Sequence, residues 1–99
     1  MPQSNLIAAD AFCTNHQIDY SFVQLLHQNG LIETRKIEQT LYIPEDQLPS
    51  LERMVRLHFD MDINIEGIET ITHLLERIEQ MQQEIIQLKN RVGASGHLL

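Results

Sequence analysis

Residues 65–92 constrain the fold more than any other stretch of this chain. Ile71, Leu74, Ile78, Met81, Ile85, Leu88 and Val92 recur at spacings of 3 and 4. That places them at a and d of an unbroken heptad series, with Ile or Val at every a position. The other faces are rich in Glu, Gln and Arg. A helix with one such stripe does not leave it in water, because burying each of these side chains is worth roughly 1.5–3 kcal/mol. Ile65, Ile68, Ile71 and Leu75 can pack on a small domain formed by the preceding residues. The seam from Ile78 to Val92 runs beyond what that domain can cover. A second copy of the helix covers it most economically. Beta-branched residues at a with Leu or Met at d favour a parallel two-stranded pair. An antiparallel pair is also open, and the alternative is a helix folded back on its own domain. The expected organisation is a domain over 1–63, a dimerisation helix over 64–92 and a flexible tail over 93–99, whose two glycines favour fraying.

Upstream of that helix the signals are shorter. Residues 1–7 read as a loose or strand-like lead-in. Asp10 is a candidate N-cap for a first short helix ending near His16, with Phe12 and Cys13 turned inward. Asp19 can cap a second helix that Gly30 terminates as a C′ glycine. Around that second helix Ile18, Phe22, Val23, Leu25 and Leu26 form one apolar arc, and Tyr20, Ser21, Gln24, His27 and Gln28 form the opposite face. Leu31 and Ile32, then Leu41, Tyr42 and Ile43, read as two short strands, with the polar "ETRKIEQT" between them as the tip of a hairpin. The stretch from Pro44 to Asp62 reads as a third helix with Leu48, Leu51, Met54, Val55 and His58 on its buried side. Pro49 is tolerated only in a first turn, so the regular helix should begin near it. Asp62 or Asn64 is the expected N-cap of the long helix.

Charge limits the partners. The chain has 99 residues, 42% hydrophobic, with 7 basic and 14 acidic residues and a formal charge of −7. Nucleic-acid affinity rests largely on Lys and Arg neutralising phosphates. The second helix has neither, and its capping residue Asp19 is negative. Such a chain is better suited to a basic protein surface. Cys13 is the only cysteine, so no internal disulfide forms, which fits the cytoplasm. No signal-peptide pattern and no apolar run long enough to span a bilayer is expected.

The order of elements, a helix-turn-helix, a hairpin wing, a third helix and a long terminal coiled-coil helix, resembles the MerR superfamily. "ADAFCTNHQID" lies where that superfamily has its first helix and turn, "NGLIE" resembles its Gly-Leu-hydrophobic step, and "TLYIPEDQL" resembles its wing strand and the acidic start of its third helix. Within it, "FC" in the first helix, "GLIETRKIEQTLYI" and "RMVRLHFDMDINIEGIETI" resemble the CbpM family of chaperone modulators over most of residues 9–92. The resemblance implies a mostly α-helical winged helix-turn-helix with a two-stranded wing and a cytoplasmic homodimer. The implied role is binding to the J-domain of a CbpA/DnaJ-type co-chaperone, blocking its stimulation of the chaperone DnaK. No cofactor and no catalysis are expected of a domain this small with much of its mass in a rod, although some relatives in the superfamily sense metals. The chain departs from the DNA-binding members of the superfamily. Where those have a basic residue and an arginine in the second helix it has Ser21 and Gln24, with Leu25 and Leu26 beside them. The wing arginine is Thr40 and the turn glycine is Gln17. The alternative, a MerR-type transcription regulator, would rely on Arg35, Lys36, Arg53 and Arg56. Nucleic acid is therefore disfavoured as a partner.

A J-domain, as the resemblance implies, carries a strongly basic second helix. An acidic partner is steered toward such a surface over a screening length of about 8–10 Å at ordinary salt. Two candidate surfaces follow. One is the polar face of the second helix, Tyr20, Gln24 and His27, with Glu33. The other is the acidic junction of Asp60, Asp62, Glu66 and Glu69, for which a solvated turn with a helix cap is the plainer reading. Cys13 and His16, three residues apart, could share a helix face, while His27, His58 and His73 are scattered. None has the spacing of a structural zinc site, so a buried cysteine and surface histidines are expected, with His58 half-buried against the long helix. The acidic pairs Glu45–Asp46 and Asp60–Asp62 fall at helix starts, where dipoles favour them. No phosphate loop or nucleophile motif occurs.

Overall fold

A computed structural model describes residues 5–95. Its elements run β1 (Leu6–Ala8), α1 (Ala9–His16), α2 (Tyr20–Gln28), β2 (Arg35–Ile37), β3 (Thr40–Pro44), α3 (Leu48–Val55) and α4 (Ile65–Ser95). A 3-10 turn (Glu45–Gln47) leads into α3 and a π-helical turn (Arg56–Asp60) follows it. The architecture is mostly helical around one small antiparallel sheet of order β1-β3-β2.

Helix ends follow from local chemistry. The Asp19 carboxylate accepts from the Ser21 backbone N–H at 3.2 Å and caps α2, as expected. At the other end Gly30 takes φ +73°. Its N–H donates to the His27 carbonyl at 3.0 Å, and the Leu31 N–H donates to the Leu26 carbonyl at 2.9 Å. Those two bonds are the paired closure of a Schellman motif. α1 ends the same way without glycine. Gln17 adopts the left-handed conformation (φ 56°, ψ 45°), and the Ile18 N–H reaches the Cys13 carbonyl at 3.0 Å. Asp10 is not the cap of α1: the helix starts two residues earlier than that cap would place it, Ala8 is the cap, and Asp10 falls in the first turn. Pro49 sits in the first turn of α3, where its missing N–H breaks no helical bond.

The wing differs from its sequence reading. Leu31 and Ile32 lie in a bend after α2 and not in a strand. Ile32 is buried and Leu31 packs against the core, so their apolar character serves packing. The first wing strand is instead β2, inside the polar stretch expected to form the tip. β2 pairs with β3 in the register Arg35↔Tyr42, Lys36↔Leu41 and Ile37↔Thr40. The tip is Glu38–Gln39, both at positive φ (49° and 68°). Two consecutive positive φ values match the twist of a tight hairpin, although Asn-Gly or Asp-Gly normally supplies them. β3 is joined on its other edge by β1, with Leu6↔Pro44, Ile7↔Ile43 and Ala8↔Tyr42. The sheet therefore has three strands, and the wing is its β2–β3 hairpin.

The chain divides into two compact units, Met1–Ile68 and Glu69–Leu99. The core of the first gathers Phe12 and Cys13 from α1, Phe22, Val23 and Leu26 from α2, Ile43 from β3, Leu51 and Met54 from α3, and Ile68. Leu25, expected on the apolar arc of α2, is 40% exposed. The cap of α4 is Asn64, whose side-chain oxygen accepts from the Gly67 N–H at 2.8 Å, while Asp62 occupies a left-handed position (φ 57°) in the preceding turn. α4 begins within the first unit, and buried Ile68 belongs to that unit's core. Of the tail expected from Gly93, residues 93–95 continue α4 and residues 96–99 lie outside the described residues, as do residues 1–4 of the lead-in.

Candidate functional site

α2 is held by its inward side chains Phe22, Val23 and Leu26, all buried. Helical periodicity then turns Tyr20, Gln24, His27 and Gln28 to one outer face. Side chains alternate along the hairpin, so Lys36 and its partner Leu41 face one side and Arg35 with Tyr42 the other. The face bearing Lys36 and Leu41 meets the outer face of α2. Between them lies a groove of about 390 Å³, walled by those four α2 residues on one side and by Thr34, Lys36, Gln39 and Leu41 on the other. His27 Nδ1 and Thr34 Oγ1 share a hydrogen bond of 3.1 Å that ties helix to wing.

The structure thus brings Tyr20, Gln24 and His27 into one concave site. Glu33 does not line it. Its backbone N–H is anchored to Gln47 Oε1 at 3.2 Å and its side chain is exposed. Gln28, Thr34, Lys36, Gln39 and Leu41 were not among the expected site residues. The signal that could have found the wing members is hairpin alternation, which is readable only once the strand register is known.

In the acidic junction, Asp60 closes the π-helical turn and Asp62 follows it, both exposed. Glu66 lies in the first turn of α4, where a negative charge is favourable. Glu69 falls in the second unit. His58 packs against α2: its ring stacks on Phe22 at a centroid distance of 4.7 Å, and its Nδ1–H donates to the Ile63 carbonyl at 2.9 Å. Phe59 meets Phe22 edge-on at 5.1 Å and is itself 46% exposed.

Cys13 is buried, and that burial pushes its thiol pKa up, with the charges of Asp10 and Asp19 adding to the effect. It is a protonated packing residue at neutral pH and a poor metal ligand. The neighbouring His16 stacks on Phe12 at 4.0 Å, donates from Nδ1 to the Phe12 carbonyl at 3.1 Å, and places Nε2 3.8 Å from the Glu52 carboxylate. Among the described residues no three His, Cys, Asp or Glu side chains are placed to share a metal ion. No described helix is long and apolar enough to cross a membrane.

In the second unit the seam residues Leu74, Ile78, Met81, Ile85, Leu88 and Val92 are 46–57% exposed, and Ile71 is half-buried. Ile86, off the seam, is exposed to a similar degree.

Comparison with known proteins agrees with this architecture. Residues 7–90 match the model of a family described as MerR HTH family regulatory protein. The chain is similar to Chaperone modulatory protein CbpM of Pseudomonas entomophila (strain L48), 27% identical over 82 residues that span 82% of this chain and 81% of that protein. It is equally similar to the protein of the same name from Pseudomonas putida (strain W619), 27% identical over the same shares. No solved structure matches.

Proposed function

We propose that this chain, which belongs to the MerR HTH regulatory protein family, is a chaperone modulator like the relatives it resembles. In this reading it binds the J-domain of a CbpA/DnaJ-type co-chaperone and prevents that J-domain from stimulating DnaK. It acts in the cytoplasm as a homodimer through the seam of α4. The observation that carries the reading is the outer face of α2. Tyr20, Ser21, Gln24, His27 and Gln28 present no lysine or arginine, on the element that in a DNA-reading relative must approach phosphates. The relatives' names and the charge of −7 support the same conclusion. The mechanism is competition. An acidic module steered to a basic surface covers the region that would dock on DnaK, and no bond is made or broken.

The seam supports the dimer. Half-exposed Ile, Leu and Met side chains at heptad spacing are stabilised by a second copy of the same helix. For the partner surface, Tyr20, Gln24 and His27 in the α2–wing groove form the better-shaped candidate, with Glu33 beside it. Asp60, Asp62, Glu66 and Glu69 are a second, more diffuse source of negative field.

One observation favours a second reading, a DNA-binding regulator: the family description itself, together with Arg35 and Lys36 in the wing. Strand alternation turns those two cations to opposite faces of the hairpin, so the wing does not offer them as a pair.

The test is titration of the protein with its cognate J-domain, followed by DnaK ATP turnover with and without it. Saturable binding and lowered turnover are expected. A J-domain that fails to associate even at low salt removes the proposal. A salt-sensitive, sequence-selective mobility shift with the upstream DNA of its own gene would replace it by the second reading.

A further inference from the structure

The groove between α2 and the wing carries charge opposite to that of the whole chain. Acids outnumber bases 14 to 7 over the sequence, yet no Asp or Glu lines this groove, and Lys36 does. By contrast, a cavity along α4 is lined by Glu76, Glu79 and Glu84 among glutamines. Gln24, Gln28, Gln39, Tyr20 and His27 line the groove with Lys36. An ammonium can only donate, and each of the others can turn a donor toward a guest. Leu41 supplies an apolar patch on the wall and is half-buried. It excludes some water and strengthens any charge-assisted hydrogen bond made beside it.

The walls are fixed before any ligand arrives. α2 is anchored by three buried side chains, Lys36 is held in register opposite Leu41, and the His27–Thr34 bond ties one wall to the other. The volume, about 390 Å³, lies at the small end of ligand sites.

We propose that this groove binds a single carboxylate. One lysine among hydrogen-bond donors suits a monoanion. A nucleic-acid backbone presents a row of phosphates, and it would meet a chain of charge −7 with Arg35 turned to the other face of the hairpin. The source of the carboxylate is an Asp or Glu side chain of a protein partner, and in that form the inference rests on the partner-binding reading above. A partner with a basic surface would be attracted by the net charge and set in register by one acidic side chain entering the groove. That division of labour gives specificity beyond the long-range field.

The test separates the groove from the partner. The 15N-labelled full chain is titrated with N-acetylglutamate α-amide, which carries only a side-chain carboxylate, and in parallel with its glutamine counterpart. Saturable shifts of the Gln24, Gln28 and Gln39 side-chain amides are expected with the glutamate compound alone. They should be lost in Lys36→Gln and kept in Lys36→Arg. Lys36 is exposed, so the remaining spectrum reports an unchanged fold. No saturable shift, or equal shifts with both compounds, overturns the carboxylate site. Binding of the cognate J-domain is then compared between wild type and Lys36→Gln. A loss of about tenfold or more supports the partner as the source, and unchanged affinity overturns it. If the wild type ignores the J-domain while the glutamate titration saturates, the proposed function fails and the carboxylate site stands.

Discussion

In the first unit Leu26, Ile43, Leu51 and Ile68 expose none of their surface, whereas in the second Leu74, Ile78, Met81, Ile85, Leu88 and Val92 each leave about half of theirs in water. The two sets are chemically alike, and the difference lies in what surrounds them. Three helices and a small sheet supply neighbours on every side of Leu26. A single helix supplies none across its own seam. Cores are stabilised by removing apolar area from water, roughly in proportion to that area. The first unit therefore carries its own stabilisation, and the second needs a partner to acquire it. Polar groups differ in the same way. In the first unit they are shaped into a walled groove, and along α4 they form the open outer face of a helix.

Replacing Ile78 and Ile85 together with Glu should break this contrast most severely. In the proposed dimer it puts four charges into the seam and removes four half-exposed aliphatic groups, a loss of roughly 3–6 kcal/mol in association at about half the full burial value of 1.5–3 kcal/mol each. Sedimentation should show a dimeric wild type and a monomeric variant, with the circular-dichroism signal of the first unit kept. If the double variant sediments like the wild type, the seam is not the contact.

Leu26→Ala tests the other side of the comparison. Leu26 is fully buried, and such truncations cost about 2–5 kcal/mol. Denaturant unfolding should lose that amount. The same truncation at half-exposed Leu74, measured in a monomeric background, should cost much less.

Gly67→Ala ranks next. A methyl group there would stand 2.6 Å from Ile63 Cγ2 and 3.2 Å from the capping oxygen of Asn64. The overlap should cost about 1–3 kcal/mol and outweigh the gain of about 1 kcal/mol that alanine offers inside a helix. A thermal melt that rises would show that the start of α4 relaxes freely.

Gln17→Gly is the smallest change and has the opposite sign. Gln17 holds a left-handed backbone, which costs a residue with a Cβ roughly 1–2 kcal/mol relative to glycine. Glycine also loses more chain entropy on folding, so the net gain should be about 1 kcal/mol or less. A lower melting temperature would show that the Gln17 side chain makes compensating contacts.

Much of the scaffold was legible in the sequence because its signals are periodic or chemically specific. The heptads of α4, the carboxylate of Asp19 and the glycine at position 30 each have one dominant structural meaning. The wing was not legible for the converse reason. Its first strand, Arg35–Ile37, has no buried residue and is held by pairing with β3, so no buried face marks it. Its turn, Glu38–Gln39, reaches positive φ without a glycine or asparagine. Leu31 and Ile32 looked like a strand because a short apolar run says only that something is buried. The π-helical turn at Arg56–Asp60 left no pattern at all. The site followed the same division. Tyr20, Gln24 and His27 share a helix face that periodicity exposes, whereas Lys36 and Gln39 join them only through a hairpin register that tertiary pairing decides.

The claim at the centre of this account is that a winged helix-turn-helix without cations on its reading helix recognises a protein. Fluorescence anisotropy measures it most directly, with labelled cognate J-domain and labelled upstream DNA titrated side by side at low and physiological salt. The account predicts a saturable J-domain isotherm that weakens with salt and a DNA curve that stays flat. Saturable, sequence-selective DNA binding beside a flat J-domain curve would contradict it.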